Sequence, residues 1–468
     1  MERLLVTTQC PTCGGPLDFK EGTNALQCVH CRSNLLVTGH RQVLSYILES
    51  RIEKRHAVDL TLAAFGERGV PPHILRSELY FVPYYRFTAQ DFAWQLQDAA
   101  HNRESDADRF GSDKPEAILA GTGAFASQSQ WLGGDGLTFT NRKVSLTADQ
   151  QVVFRERYVE KNYLAADLPG LGVYSLGVRP AALRLRLFQK EALEPDGKAV
   201  PTTLSIEQAQ VRGIKMTRDC DTLYREVAGA VLSVIYFPFW IVQVEASRVR
   251  QLAIVDAVAK TIIRLDAPNS LYDLLNQRSD MFAEVIGLRP LVCPNCGWNL
   301  PVKAEDILFY CAQCKRIWQV EGKQLYEIAF DVAEVQDSSF AMHLPFWDFQ
   351  ADNGNRRRRF FIPAFHYRRL KLLIDLATAM SRKHPDYNRS APDGQNLQGG
   401  YYDRADGERL ARFVAAGLQL RNIEGYNNLN SSALEFPSAT LTWFPFREQA
   451  GTLINPLTST GIPAALLI

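Results

Sequence analysis

Eight of the nine cysteines form four Cys-x2-Cys pairs that repeat at one spacing. The first set is Cys10, Cys13, Cys28 and Cys31, and the second is Cys293, Cys296, Cys311 and Cys314. Both sets read Cys-x2-Cys-x14-Cys-x2-Cys, and each member of the second lies 283 positions after its counterpart. Two thiolates three residues apart can bind one metal ion from a tight turn, and a hairpin between the pairs can complete a tetrahedron. The spacing therefore predicts two metal sites made by one repeated module.

The residues around the pairs refine this prediction. Both leading pairs have the form CPxCG, in which proline favours the turn and the glycine, Gly14 or Gly297, tolerates a positive φ. The trailing pairs are followed by Arg32 and Lys315, which we expect to offset the 2− charge of zinc bound by four thiolates. Four sulfur ligands leave no position for water or substrate, so we predict two structural Zn²⁺ ions per chain. Iron in a rubredoxin-like site is the alternative.

These motifs resemble the zinc ribbons of transcription-factor-IIB and rubredoxin-like type, over about 35 residues at each occurrence. Four segments that pair proline with aromatic residues extend the resemblance to bacterial double zinc-ribbon proteins with PFW-like segments. These segments are FVPYYRF (81–87), YFPFWIV (236–242), LPFWDF (344–349) and WFPF (443–446). Some relatives in that group accompany SPFH-domain or phage-shock-type membrane-maintenance proteins. The resemblance implies an adaptor in an assembly and supplies no catalytic residues.

The composition is that of a soluble globular protein. The chain has 468 residues, 46% hydrophobic and 22% charged, and its net charge of +1 implies no whole-surface attraction to nucleic acid or anionic membrane. The N-terminus has no basic region followed by an apolar stretch, so we expect a cytoplasmic protein with reduced thiols. The apolar stretch 227–242 is shorter than a membrane span and contains Pro238, which favours a buried strand.

The four proline–aromatic segments are rich in β-forming residues. Proline is allowed at a strand edge or entry, where it removes no ladder hydrogen bond. The aromatic side chains could stack on nucleic-acid bases, but we favour buried packing in sheets. The second and fourth segments are each followed by a pattern of two strands around a short turn. The sequence thus predicts an α+β, mainly β fold, with two zinc ribbons joined to repeated small antiparallel β units and a few helices.

We divide the chain at the changes of pattern. The predicted units are ribbon 1 (1–40), a linker helix (41–78), a β-rich domain (79–289), ribbon 2 (290–324) and a second β-rich domain (325–468). The linker helix is inferred from Leu44, Ile47, Leu48 and Ile52, which recur at helical spacing.

A basic segment interrupts the neutral background. Residues 356–384 contain nine Lys and Arg and one acidic residue, so the segment carries +8 and the remainder −7. Asn353-Gly354 predicts a hairpin in which Asp348 faces Arg359, Trp347 faces Phe360 and Gln350 faces Arg357. An amphipathic helix should follow, burying Leu370, Ile374, Ala377 and Met380.

The candidate partner-binding residues of this segment are Arg356, Arg357, Arg358, Arg359, Arg368, Arg369 and Lys371. The alternative is that these cations pair with acidic residues elsewhere in the net-negative remainder. No P-loop, HExxH or GxSxG motif occurs, and Cys220 lies between two aspartates that disfavour its thiolate. We therefore predict no enzyme but a cytoplasmic zinc-binding scaffold that presents surfaces to protein partners. A nucleic-acid-binding factor that uses 356–384 is the first alternative, and an enzyme on the β domains is the second.

Overall fold

A computed structural model of the chain describes residues 4–38, 43–69, 71–98, 150–173, 184–188, 193, 197–215, 222–276, 287–334, 342–352, 357–390, 396–419 and 434–468. These residues form two large sheets, two three-stranded sheets and five α-helices, and most of the strand pairing is antiparallel. The predicted α+β, mainly β fold is confirmed.

The first half of the chain contains ribbon 1 and a ten-stranded sheet. The strands of this half of the chain, including those of ribbon 1, are β1 (Leu5–Gln9), β2 (Pro16–Lys20), β3 (Ala25–Gln27), β4 (Asn34–Val37), β5 (Leu44–Ile47), β6 (His73–Asp98), β7 (Gln150–Leu164), β8 (Arg184–Leu187), β9 (Gly197–Ala199), β10 (Thr222–Ala246), β11 (Val249–Asp256) and β12 (Thr261–Pro268). Its helices are α1 (Lys54–Glu67), α2 (Ile206–Lys215) and α3 (Ser270–Leu275).

The second half contains ribbon 2 and a seven-stranded sheet. The strands of this half of the chain, including those of ribbon 2, are β13 (Leu288–Pro290), β14 (Leu308–Cys311), β15 (Arg316–Glu321), β16 (Gln324–Ile328), β17 (Phe330–Glu334), β18 (Met342–Asp352), β19 (Arg357–Pro363), β20 (Asn388–Ser390), β21 (Ser438–Gln449), β22 (Thr452–Asn455) and β23 (Thr460–Pro463). Its helices are α4 (Leu370–Lys383), α5 (Arg404–Gln419) and a short 3-10 turn at Ala464–Leu466.

The two large sheets share one connectivity. In the first sheet, β10 pairs antiparallel with β6, parallel with β5 and then antiparallel with β11. In the second, β21 pairs antiparallel with β18, parallel with β17 and then antiparallel with β22. Each ribbon is thus followed by the same arrangement of strands. The module that repeats is therefore larger than the zinc ribbon and extends through each sheet.

The four proline–aromatic segments pair with one another, two in each sheet. Pro83 lies opposite Tyr236 and Pro238 opposite Phe81, while Pro345 lies opposite Trp443 and Pro445 opposite His343. Every proline therefore faces the residue two positions before its partner proline. The repeated motif marks one register used twice.

The prolines lie inside long strands rather than at the sheet edges. Pro238 falls between the last residue that pairs with β5, Tyr236, and the first that pairs with β11, Phe239. Pro83 likewise falls between the pairings of β6 with β9 and with β7. A missing N–H removes no ladder hydrogen bond at such a gap. Proline is therefore tolerated here for the expected reason, although it lies inside the strand and not at its edge or entry.

The aromatic residues of these segments pack in the sheet cores. Phe81, Phe237, Phe346 and Trp443 are all essentially inaccessible to solvent. Burial of such rings contributes most of the apolar area removed from water in a sheet core. The favoured interpretation, buried packing rather than base stacking, is confirmed. The apolar stretch 227–242 lies within β10, and no helix in the described ranges has the length and apolarity of a membrane span.

The predicted linker helix is partly wrong. Leu44–Ile47 forms strand β5, which is buried along its whole length, and helix α1 begins only at Lys54. A strand buried on both faces shows no alternation, so its apolar residues can also match helical spacing. Ile52 precedes the helix in a bend.

The predicted hairpin of the basic segment exists, but its register was wrong by two residues. β18 pairs with β19 so that Asp348 lies opposite Phe361 and Gln350 opposite Arg359. The strands separate after the pair Asp352 and Arg357, so the connection is four residues long instead of two. Asn353-Gly354 and Arg356 lie outside the described residues. The predicted amphipathic helix is confirmed as α4, and it buries all four predicted residues.

Candidate metal centres

Four tight turns position the eight cysteines. In ribbon 1 the leading pair connects β1 to β2, and the trailing pair connects β3 to β4. In the leading turn the N–H of Cys10 donates to the carbonyl of Gly15 at 2.8 Å, and Gly14 donates back to Cys10 at 2.8 Å. The turns at Cys28, Cys293 and Cys311 repeat the second bond at the same offset, with lengths of 2.8 to 2.9 Å. Each closed turn therefore holds two sulfur atoms in place, and two turns together supply the four ligands of one site.

The sulfur atoms of each set lie at the distances that a tetrahedral zinc site requires. All four sulfurs in each set are within 4.8 Å of one another. The Cys10–Cys31 and Cys13–Cys28 Sγ pairs are both 3.8 Å apart, and the matching pairs in ribbon 2 are 3.5 and 3.6 Å apart. Zn–S bonds of about 2.3 Å place tetrahedral ligands roughly 3.8 Å apart. A disulfide needs about 2.05 Å, so none of these pairs is bonded.

Each site has a buried and an exposed side. The first cysteine of every pair is buried, namely Cys10, Cys28, Cys293 and Cys311. Cys13, Cys31 and Cys296 are exposed, and Cys314 is partly exposed. An ion bound here would touch the protein core on one side while its ligand sphere stays closed by sulfur. This arrangement fits a structural metal ion.

At Cys31 and Cys293, hydrogen bonds to sulfur favour the thiolate form that binds metal, whereas burial raises the pKa of Cys311 and Cys314. The Sγ of Cys31 lies 3.2 Å from the hydroxyl of Ser33, and this side chain and its backbone N–H lower the pKa of Cys31 to about 6. Burial opposes ionisation of Cys293, but the backbone N–H groups of Cys296 and Asn295 face its sulfur, and its pKa is lowered to about 7. Donors aimed at sulfur stabilise negative charge there.

Four residues in these turns adopt a left-handed backbone. Gly14 and Gly297 both have φ of +73°, as the CPxCG motif predicted. Arg32 and Lys315 occupy the equivalent position after the trailing pairs, with φ of +59° and +58°. This conformation costs a non-glycine residue about 1 kcal/mol. The left-handed backbone of these two cations was not predicted, although their alignment with Gly14 and Gly297 was a signal for it.

The two ribbons, predicted as separate units, contact each other. β4 of ribbon 1 pairs antiparallel with β13 of ribbon 2, so β13, β4 and β3 form one small sheet. Asn24 of ribbon 1 also donates from its backbone to the carbonyl of Ala304 at 2.6 Å. The metal sites therefore belong to one structural unit at the junction of the two modules.

The structure separates the predicted basic surface into two ends. Arg358 lies beside the connection between β18 and β19, whereas Arg368, Arg369 and Lys371 lie at the start of α4. The N–H of Phe361 donates to the hydroxyl of Ser381 at 3.0 Å, so α4 runs back along β19. Fourteen residues of helix span about 21 Å. The basic residues thus form no single patch.

Two of the candidate cations are paired, and one of them pairs with an acidic residue outside the segment, as the alternative interpretation expected. Arg359 forms an ion pair with Asp348, and Lys371 pairs with Asp375 at 2.7 Å. The exposed side chains of Arg358, Arg368 and Arg369 have no ion-pair partner within the described ranges. Arg356, the side chain of Arg357 and Cys220 lie outside what the structure describes.

Comparison with protein-family models, curated proteins and solved structures finds no significant match for this chain. Within the described residues, the two four-cysteine sets are the clusters of three or more His, Cys, Asp or Glu side chains that could hold a metal ion.

Proposed function

We propose that this protein is a non-enzymatic zinc-binding scaffold whose ribbons present rigid surfaces to protein partners. The observation that carries the proposal is the closure of both sites by four sulfur ligands, which leaves no coordination position for a substrate. Zinc would fix the turns and, through β4 and β13, the junction between the two modules. The resemblance to double zinc-ribbon proteins supports a place in a membrane-maintenance assembly. Eight reduced thiols are consistent with the cytoplasm.

The metal part of the proposal is tested by elemental analysis of protein purified without added metal. We expect two zinc ions per chain. Dominant iron would replace zinc in the proposal, and a metal-free native protein would overturn it. A Cys293→Ser chain should lose one ion and the ordered structure of ribbon 2, because zinc-binding energy in such sites is folding energy.

The best-supported partner surface is the leading turn of ribbon 2. Trp298 is 59% exposed there, and its carbonyl accepts a hydrogen bond from Cys293 at 2.8 Å. Ribbon 1 has Gly15 at the equivalent position, and a Cβ on Gly15 would lie 2.6 Å from the ring of His30. Residues 292–301 contain no Lys, Arg, Asp or Glu. A rigid exposed tryptophan in a turn without these residues is typical of a protein-binding hot spot.

A Trp298→Ala chain tests this surface. The protein and its co-purifying partners are isolated from the native cell and quantified by mass spectrometry. We expect a partner present in stoichiometric amount with the wild type to fall by about tenfold or more, since a hot-spot residue contributes about 2 kcal/mol or more. Tyr326→Ala, which removes a 49% exposed ring from β16 directly after ribbon 2, is the matched control. Equal recovery with both variants would argue against Trp298, and the absence of any stoichiometric partner would argue against the scaffold.

A further inference from the structure

The two metal sites lie at the ends of neighbouring strands. β3 ends directly before Cys28, and β4 begins three residues after Cys31, so the trailing turn of ribbon 1 is the end of the β3–β4 hairpin. β13 ends three residues before Cys293. Since β4 pairs with both β3 and β13, one strand connects a metal-binding turn of each ribbon.

Asn34 makes the most direct link. Its carbonyl accepts the N–H of Leu291 at 2.7 Å, and its side-chain amide donates to the carbonyl of Leu300 at 2.8 Å. Leu291 and Leu300 precede and follow the leading turn of ribbon 2, and they are joined by a 3.1 Å backbone bond. One residue of ribbon 1 therefore holds both ends of a metal-binding turn in ribbon 2.

Ribbon 2 depends on this support because its own leading hairpin is short. In ribbon 1 the equivalent hairpin is a ladder of five residue pairs between β1 and β2. In ribbon 2 it is reduced to the single bridge between Val292 and Asn299. Ala25 and Leu36 of ribbon 1 are fully buried in a cluster with Cys293 and the other core residues of ribbon 2. Ribbon 1 thus completes both the pairing and the core of its counterpart.

We propose that metal binding at either site strengthens metal binding at the other. Closing site 1 orders the β3–β4 hairpin and so presents Asn34 and Leu36 in the conformation that ribbon 2 needs. The free energy of metal binding in such sites includes the free energy of folding the ribbon. A ribbon whose neighbour is already ordered therefore needs less folding free energy to bind its own ion. The effect is reciprocal by linkage, and we expect about tenfold in affinity in each direction. This inference rests on the proposed function, because both sites must bind metal.

Cobalt titration of full-length single-site variants tests the coupling. Cys13→Ser and Cys296→Ser each remove one exposed ligand at the equivalent position in the two ribbons. The thiolate-to-cobalt absorption of the intact four-thiolate site, which differs from that of the remaining three-thiolate set, reports its affinity. We expect the intact site to bind Co²⁺ about tenfold more weakly than in the wild type, and by the same factor in both variants. Wild-type affinity at the intact site in both variants would overturn the proposal.

A second variant keeps all eight cysteines. In Asn34→Ala the two sites should fill independently, whereas in the wild type they should fill in one cooperative step. In this background, Cys13→Ser should change the affinity of site 2 by less than about threefold, because the link is already broken. Asn388→Ala, an exposed asparagine of β20 that lies outside both ribbons, is the matched control and should leave cooperativity unchanged. Independent filling of the two sites in the wild type would contradict the coupling but not the proposed function. Failure of the wild type to bind two ions would contradict the proposed function itself.

Discussion

Asp306 is a buried carboxyl within ribbon 2. It is only 7% exposed, and the position that a Cβ on Gly399 would take lies 1.8 Å from its Oδ2. Burial raises the pKa of Asp306 to about 7, and the nearby charges of Lys303 and Glu305 act in opposite directions. The native state therefore keeps a proton on Asp306 at pH values where the unfolded chain has lost it.

Replacing Asp306 by asparagine should remove this pH dependence. A carboxyl with a raised native pKa contributes stability below its unfolded pKa of about 4, and that contribution is lost as the pH rises through about 7. The stability of Asp306→Asn relative to the wild type should therefore rise by about 1 kcal/mol per pH unit between pH 5 and 7 and then level off. Urea denaturation between pH 5.5 and 8.5 measures this difference. A difference that stays constant over this pH range would contradict the assignment.

Arg359 was a candidate partner-binding residue, but its contacts are internal. Asp348 is 4% exposed and accepts hydrogen bonds from the Nε of Arg359 at 3.2 Å and from the hydroxyl of Tyr387 at 3.1 Å. The guanidinium lies 4.9 Å from the ring centroid of Phe361. Removing the cation would take two hydrogen-bond donors, one for each oxygen, away from a buried carboxylate.

We expect Arg359→Ala to lower the free energy of unfolding by about 2 kcal/mol, less than for a fully buried pair because Arg359 is one-third exposed. Its neighbour Arg358, which is exposed, gives the matched control, and Arg358→Ala should change stability by less than about 0.5 kcal/mol. Chemical denaturation measures both. Equal effects of the two substitutions would show that the Asp348 pair contributes little.

At the scale of elements, α4 covers the edge of the second sheet. β19 is an edge strand, and the backbone N–H of Phe361, which has no further strand to pair with, donates to the hydroxyl of Ser381 on α4. Ser381 is buried. An edge strand satisfied by a helix cannot recruit a strand from another chain at that point.

Ser381→Ala should therefore destabilise the chain by about 1–2 kcal/mol, because it leaves a buried backbone donor without a partner. Amide hydrogen exchange at Phe361 should also become faster. Ser438→Ala, at the exposed start of β21, serves as the control and should change neither quantity. Unchanged exchange at Phe361 in Ser381→Ala would mean that the bond does not protect the edge.

The elements were predicted well where a pattern was local. The metal-binding turns, α4 and the hairpins after the proline–aromatic segments all depend on residues close together in sequence. The strand β5 was predicted as helix because Leu44 and Ile47 are both buried, so neither period was distinctive. The register of β18 and β19 was missed because Asn353-Gly354 favours a two-residue loop. In the structure β18 still ends at Asp352, but β19 begins at Arg357, two residues later than such a loop requires.

At the scale of the molecule, the distribution of basic residues argues against strong nucleic-acid binding. The described cations of 356–384 lie near the two ends of α4, about 21 Å apart, and each end offers only a few of them. We expect duplex DNA to bind with a dissociation constant weaker than about 10 μM at about 150 mM salt, and with a slope of log K against log salt no steeper than about −3. Fluorescence anisotropy across a salt series measures both. Submicromolar binding with a slope near about −7 would favour the nucleic-acid alternative.

The contacts between distant parts of the chain could not be predicted. The cysteine spacing identified all eight candidate ligands, but nothing local to Asn34 indicates that it bonds to Leu291 and Leu300. The same holds for the pairing of the proline–aromatic segments. Their sequences indicate strands but do not indicate which strands pair with each other. Strand pairing over such separations depends on the whole packed structure rather than on residue patterns.

The pairing of β4 with β13 has a consequence for synthesis of the chain. The two strands are separated by about 250 residues, and at about 5–20 residues per second a ribosome needs roughly 10–50 seconds to make that length. During this time the first ribbon of the nascent chain has emerged with one strand edge unpaired and with Leu36, fully buried in the finished protein, uncovered. Early capture of zinc would order this ribbon while it waits for its partner strand.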